Sequence, residues 1–146
     1  MSIYSLSYHS RNRLEDLVID TRVQIEDILS VARARNESLG ITGALMFNEG
    51  RFIQILEGRE VDVKAVFESI RRDPRHSDVD ILSIVPWGKR RFESWSMAFV
   101  GTSESARDYY ADYVGRDAAG WARFQKDTLQ NLMLTMMTLD RAEARE

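Results

Sequence analysis

Residues 40–58, GITGALMFNEGRFIQILEG, decide the fold of this chain. Two apolar segments, 41–48 and 51–57, flank Glu49-Gly50, and this pattern predicts two strands joined by a tight antiparallel hairpin. The second segment is mostly apolar on both faces, which is typical of a strand at the centre of a sheet that is covered on both sides. Its apolar residues are Phe52 and Leu56 on one face and Ile53 and Ile55 on the other.

A strand and a helix are predicted before the hairpin. Residues Ile3–Tyr8 alternate as a strand, and a polar stretch, residues 9–20, follows them. Thr21-x-x-Gln24 has the spacing of a capping box, so a helix is expected to begin there and to end at Gly40. The apolar stripe of this helix comprises Ile25, Ile28, Leu29 and Ala32.

A second helix and two further strands are predicted after the hairpin. The helix has apolar residues at helical spacing and is expected to end before Pro74. Strands follow over residues 79–85 and 94–100. The fold class is therefore α+β, a ferredoxin-like β-α-β-β-α-β-β sheet with two helices on one face. The apolar residues of the second helix are Val63, Val66, Phe67 and Ile70.

The character of the chain changes after residue 101, and two more helices are predicted over residues 105–114 and 118–140. The second of them has a wide apolar stripe, which we expect to cover the other face of the sheet rather than to serve only as a partner surface. The chain is thus divided into a sheet-forming domain, residues 1–101, and a C-terminal helical extension, residues 102–146. The stripe comprises Trp121, Phe124, Leu129, Leu132, Met133, Met136, Met137 and Leu139.

Composition narrows the classes of function. A chain of 146 residues with a net charge of −3 has no basic excess for nucleic acid or for an anionic membrane surface. It has no cysteine, so disulfides, thiolate metal sites and a cysteine nucleophile are excluded. The first residues lack a signal-peptide pattern, and no apolar run approaches the roughly 18 residues of a membrane span. These features predict a cytoplasmic protein.

Three polar residues stand at positions that the pattern makes apolar. Tyr8 ends the apolar face of the first strand, Asn36 ends the inward stripe of the first helix, and Gln54 lies inside the central strand. Burying such groups costs a few kcal/mol unless they find partners. One interpretation is structural: Asn36 caps its helix, Gln54 bonds a neighbouring backbone group, and the Tyr8 hydroxyl reaches water. The other is that they surround the polar edge of a flat ligand in a mostly apolar groove. Spacing alone leaves both open.

Five motifs occur in order between residues 3 and 101. They are Ser7-Tyr8-His9-Ser10, then Arg35-Asn36 with Gly40-Ile41-Thr42-Gly43-Ala44-Leu45, then Phe52-Ile53-Gln54-Ile55-Leu56-Glu57-Gly58, Asp73-Pro74-Arg75-His76, and Arg90-Arg91-Phe92-x-x-Trp95-Ser96-Met97. Together they make the chain resemble the BLUF family, blue-light sensors that use FAD. The stretch between Tyr8 and the first helix is longer than in compact members of that family.

The resemblance implies a role for each polar residue. Tyr8 would donate an electron and a proton to the excited flavin, and Gln54 would bridge Tyr8 and the N5/C4-carbonyl edge of the ring. Asn36 would hold the other side of the ring, with Arg35 near the C2 carbonyl. Trp95 would report the switch together with its neighbour on the predicted fifth strand, Met97. The apolar walls implied in the same way are Ile25, Ile28, Val66 and Ile70.

The resemblance says less about the ribityl and phosphate end of FAD and about the signalling partner. Arg75 and His76 either lie near the ribityl and phosphate end of FAD or face solvent. The resemblance implies a photoreceptor, not an enzyme, that signals to a downstream protein partner through the C-terminal helices or the sheet, or through a homo-oligomer. No partner of nucleic acid or membrane type is expected.

Two other functions compete with the sensor. One is a small flavin-dependent oxidoreductase that uses the same pocket in the dark; the other is a ferredoxin-like module that binds another ligand. A metal site is not expected, because His9 and His76 lack the spacing of paired ligands. No glycine-rich nucleotide motif and no hydrolase triad is present either.

Overall fold

A computed structural model describes residues 3–12, 21–48, 51–73, 76–86, 88–92, 95–114 and 126–144. The strands are β1 (Tyr4–Asn12), β2 (Thr42–Asn48), β3 (Arg51–Gly58), β4 (His76–Pro86) and β5 (Ala98–Val100). The helices are α1 (Thr21–Leu39), α2 (Glu60–Arg71), α3 (Glu104–Val114) and α4 (Lys126–Ala144).

The strands form one mixed sheet in the order β4-β1-β3-β2-β5. The first four strands pair antiparallel, and β5 joins β2 in parallel at the far edge. The predicted ferredoxin-like arrangement with one added strand is therefore confirmed, as is the β2–β3 hairpin. β3 lies in the centre and is buried from Phe52 to Gly58, as its two apolar faces predict.

Each face of the sheet carries its own apolar core. On one face α1 and α2 pack over the even-numbered positions of β1 and β3. On the other face α3 and α4 pack over Ile53 and Ile55 of β3 and over Ala98 and Val100 of β5. The expectation that the C-terminal helices cover the second face is confirmed. Where the side chains of these helices are described, the buried apolar residues are Ala106, Tyr110, Leu132, Met133 and Met136.

Helix α1 ends as its sequence predicts. Gly40 has a φ of +68°, a conformation that residues with a side chain rarely adopt. The N–H of Ile41 donates to the carbonyl of Asn36 at 2.8 Å, and the N–H of Gly40 donates to the carbonyl of Glu37 at 3.3 Å. These two bonds form a Schellman motif, which satisfies the last carbonyls of the helix.

Several predicted boundaries were wrong: β4 begins at His76 instead of residue 79, and α4 ends at Ala144 instead of near residue 140. β1 continues through Asn12 instead of ending at Tyr8, because it stays paired with both β3 and β4 over the polar residues that follow. The fifth strand spans only Ala98–Val100 instead of beginning at residue 94, because it pairs with β2 at three positions alone. Trp95 and Met97 therefore precede the strand instead of sharing one of its faces. The predicted start of the last helix, residues 118–125, lies outside the described residues.

No helix within the described ranges is long and apolar enough to cross a membrane. The same residues contain no group of three or more acidic or histidine side chains that could hold a metal ion.

Candidate functional site

A cleft opens between α1, α2 and the sheet. The space inside it that can hold water-sized molecules is about 60 Å³, which is well below the roughly 300–1,000 Å³ typical of small-molecule sites. One wall is the sheet and the others are the facing sides of the two helices. The residues that line the cleft are Tyr8, Ile28, Val31, Ala32, Arg35, Leu45, Gln54, Ser69, Ile70 and Asp73.

A phenol and a carboxamide meet on the sheet wall of this cleft. Tyr8 on β1 and Gln54 on β3 are directly opposite each other in the register. The Tyr8 hydroxyl donates a hydrogen bond to Gln54 Oε1. The two side chains are 0% and 4% exposed, respectively. The pairing follows from the alternation of the two strands, which turns both residues toward the helices.

Burial raises the pKa of the Tyr8 phenol well above its ordinary value. The charge of Arg35 acts in the opposite direction, and that of Asp73 adds to the increase. The ring of Phe67 packs edge-on against Tyr8, with the centroids 5.4 Å apart. Tyr8 is therefore neutral near pH 7 and keeps its proton at Oη.

The other end of the Gln54 amide reaches a different part of the chain. Gln54 Nε2 donates to Met97 Sδ at 3.4 Å. Met97 is 1% exposed and belongs to the core under α1 and α2. Because an amide has one acceptor and one donor end, the bond from Tyr8 and the contact with Met97 fix its orientation together.

Asn36 is fully buried and approaches the same segment from α1. Its Nδ2 donates to the carbonyl of Ser96 at 2.9 Å, while its Oδ1 accepts from Arg35 Nε at 3.3 Å. Arg33 Nε donates to the carbonyl of Met97 at 3.0 Å. Both carboxamides of the predicted site thus converge on residues 96–97 just before β5.

Arg35 and Asp73 place opposite charges on the lining of the cleft. Arg35 is partly buried, and this burial lowers the pKa of its guanidinium, which still remains a cation at any physiological pH. The cleft thus combines apolar side chains with a phenol, an amide, a guanidinium and a carboxylate.

The structure distributes the expected residues over three environments. Ile25 and Val66 are buried in the adjoining core and do not line the cleft. Trp95 is 37% exposed, whereas Met97 is buried. Arg75 and the side chain of His76 lie outside the described residues. The expected residues that do line the cleft are Tyr8, Ile28, Arg35, Gln54 and Ile70.

Other residues of the site were missed by the sequence analysis. Asp73 belongs to one of the five motifs that carry the family resemblance, and Ala32 lies on the apolar stripe of α1. The sequence therefore contained a signal for both residues. Arg33 lies four residues after Leu29, at the border of that stripe, but its bond to the Met97 carbonyl has no signature in the sequence. The remaining lining residues without an assigned role are Val31, Leu45 and Ser69.

The donor set fits a flavin. The apolar walls of the cleft suit a flat aromatic ring, and Gln54 and Arg35 offer hydrogen bonds to carbonyls and a ring nitrogen at its edge. Gln54 and Tyr8 would face the ring's polar edge, while Ile28 and Ile70 would pack on its faces.

Comparison with known proteins supports this interpretation. A family model described as "BLUF: Sensors of blue-light using FAD" matches residues 3–98. The chain is 43% identical over 56 residues to the "Blue light- and temperature-regulated antirepressor BluF" of Escherichia coli, covering 38% of this chain and 14% of that protein. It is 39% identical over 74 residues to the "Photoactivated adenylate cyclase subunit alpha" of Euglena gracilis, covering 51% of this chain and 7% of that protein. The chain therefore spans only a small part of these relatives.

Solved structures agree with the fold. The dark-state structure of BlrB, a BLUF protein, is 30% identical, with a TM-score of 0.74 over 92% of this chain and 96% of the other. The photo-activated state of BlsA is 25% identical, with a TM-score of 0.78 over 92% of this chain and 94% of the other. The matched region of this chain belongs to the BLUF family, the sensors of blue light using FAD.

Proposed function

We propose that this chain binds FAD in the cleft between α1 and α2 and senses blue light through Tyr8 and Gln54. The single observation that carries the proposal is the buried hydrogen bond from the Tyr8 hydroxyl to Gln54 Oε1 on the cleft wall. The choice of FAD rests on the family description. One solved structure of a relative, BlrP1 from Klebsiella pneumoniae, contains FMN.

When bound, the flavin supplies the absorption of blue light and a place for an electron on excitation. Tyr8 holds its proton at Oη inside a dry environment, and the hydrogen bond directs that proton toward Gln54 Oε1. We assign Tyr8 as the source of the transferred electron and proton on the family resemblance. Its neutral, buried phenol supports this role, because a phenolate would have no proton to move.

The Gln54 amide can hold a changed hydrogen-bond pattern after the light reaction. Rotation of its amide by half a turn, or tautomerisation, exchanges the donor and acceptor ends. Tyr8 Oη would then accept instead of donate, and the contact from Nε2 to Met97 Sδ would be lost. A change at the cleft is thereby transferred to Met97 and, through it, to the edge of the sheet.

The other roles in the site follow from their positions. We propose that Asn36 and Arg35 bind the far edge of the ring, with Ile28 and Ile70 on its faces and Ile25 and Val66 supporting them from the core. Arg75 and His76 are proposed for the ribityl and phosphate end. Met97 would sense the Gln54 amide in the dark, and Trp95 would report the change at the surface.

The output is proposed to leave through the C-terminal helices. Residues 1–101 would form the sensor and residues 102–146 the transmitter, which contacts a downstream protein or a second copy of the chain. Two similar proteins, an antirepressor and a photoactivated adenylate cyclase, support a coupling of this kind of sensor to another protein or domain. The cytoplasmic location expected from the sequence stays a prediction.

The test is a visible spectrum of the purified protein before and after illumination. We expect a yellow protein whose flavin band shifts slightly and reversibly to longer wavelength in blue light, with FAD released on denaturation. Release of FMN alone would show that the cofactor is FMN instead of FAD. A protein that stays colourless after reconstitution with FAD would overturn the function.

A further inference from the structure

Glu57, at the end of the central strand, is a fully buried carboxylate that the proposed photochemistry does not use. It is 0% exposed. Its Oε1 accepts from Thr42 Oγ1 at 3.0 Å and from the N–H of Phe92 at 2.9 Å, and its Oε2 accepts from the N–H of Arg91 at 2.7 Å. A buried charge is tolerated only where its oxygens are satisfied in this way.

These bonds attach the connection between β4 and β5 to the sheet. We call this connection, described at residues 88–92 and 95–97, the connector. Arg90 Nη1 strengthens the same attachment, because it donates to Thr42 Oγ1 and to the backbone carbonyl of Glu57, each at 3.0 Å. Phe92, at 1% exposure, anchors the connector further in the core under α3 and α4.

The connector is then held at successive points toward β5. The N–H of Trp95 donates to the carbonyl of Phe92 at 2.9 Å, and the carbonyl of Trp95 accepts from Gly43 at 3.1 Å. Met97 Sδ accepts a hydrogen bond from Gln54 Nε2. β3 therefore holds the connector at two places, through Glu57 at residues 91–92 and through Gln54 at residue 97.

We infer that Glu57 is a positioning residue for the photoswitch, whose carboxylate holds the start of the connector so that Met97 returns to Gln54 in the dark. This inference rests on the proposed function. Of the two attachments, the one to Gln54 changes when its amide turns. The attachment to Glu57 involves no group that the light reaction alters, so it persists after illumination and keeps Met97 near Gln54 for the return to the dark state.

Glu57→Gln tests the inference with almost no change of volume. The variant puts an NH₂ group against a backbone N–H of Arg91 or Phe92, whichever oxygen it replaces, so one donor loses its acceptor. We expect an unchanged light-induced red shift and a dark recovery slowed about tenfold, because a connector released at residues 91–92 must bring Met97 back to Gln54 from a wider range of positions. Glu68→Gln is the matched control, since Glu68 is paired only with Arg71 on the outer side of α2 among the bonds that the structure describes.

Thr42→Val is a second variant in case Glu57→Gln does not fold. It removes one donor to the carboxylate and is expected to slow recovery about threefold. The free energy of unfolding in the dark is measured beside the recovery rate. A merely structural role for Glu57 would lower that free energy and leave recovery within about twofold of the wild-type rate, and this result would overturn the inference. A wild-type protein without a red shift would instead refute the proposed function.

Discussion

The guanidinium of Arg141, near the end of α4, lies over the indole ring of Trp95, 4.9 Å from the ring centroid. The backbone carbonyl of Trp95 accepts from Gly43 of β2, so this residue joins the sheet and the last helix. The preceding residue of the helix, Asp140, binds the turn that follows β5. The end of α4 is thus attached to the chain on both sides of β5.

Replacing Arg141 with Ala should uncouple α4 from the connector. The stacking of a cation on an exposed ring is worth about 0.5–1 kcal/mol, so the protein should stay folded and keep its flavin red shift. We expect the light-dependent change in hydrogen exchange of residues 126–144 to be reduced or lost. Arg71→Ala, which removes an exposed arginine from α2, is the control. An unchanged light response of α4 in Arg141→Ala would show that the contact between Arg141 and Trp95 does not transmit the light-induced change.

Tyr8→Phe should abolish the photocycle and spare cofactor binding. The variant keeps the ring and its packing against Phe67 but removes the proton and the bond to Gln54 Oε1. We expect a yellow protein without a light-induced red shift, measured by difference absorption. Gln54→Leu should give the same spectrum and lower the free energy of unfolding by about 1–3 kcal/mol, since it leaves the buried phenol without its acceptor. A normal red shift in Tyr8→Phe would refute the assignment of this residue.

Asp140→Ala should destabilise the junction between β5 and α3. Asp140 Oδ2 accepts from the N–H of Gly101 at 2.8 Å, and Oδ1 accepts from the N–H and the hydroxyl of Ser103 at 2.8 and 2.6 Å. Ser103 Oγ in turn accepts from the N–H of Ala106 in the first turn of α3. We expect a loss of about 2 kcal/mol in urea unfolding. Thr138→Val, on the exposed side of α4, should cost about 0.5 kcal/mol or less.

The stability of the protein should fall on mild acidification because of His9. Burial, and secondly the charge of Arg51, lower the pKa of the imidazole below its ordinary value, while Asp80 opposes them. Arg51 Nη1 lies 3.4 Å from His9 Nδ1, and Asp80 Oδ2 lies 4.0 Å from Nε2, an arrangement that suits the neutral ring. Between the folded pKa and the ordinary value the unfolded state binds more protons, so this contribution to stability is complete above that ordinary value and is lost as the pH falls through the folded pKa.

Urea unfolding at pH 7.5 and at pH 5.5 measures this effect, and His9→Gln should show a smaller decrease between the two values than the wild type. An equal decrease in both proteins would assign the acid sensitivity to other groups.

Local pattern determined most of the fold. Alternation in the first and third strands, the helical stripe ending at Asn36 and the stop at Gly40 depend on neighbours a few residues apart, and these neighbours are visible in the sequence. The pattern also singled out Tyr8, Asn36 and Gln54, because a polar side chain on an apolar face must find a partner or pay for its desolvation.

Tertiary structure decided what those residues touch. The register that sets Tyr8 against Gln54 is a pairing 46 residues apart, and the connector's bonds to Asn36 and Gln54 join residues 60 and 43 apart. Tertiary structure also decided the length of β5 and the role of Glu57 as an anchor. It likewise buried Met97 and left Trp95 at the surface. Each depends on backbone groups whose partners lie far along the chain, and a backbone N–H carries no sequence signal of its own.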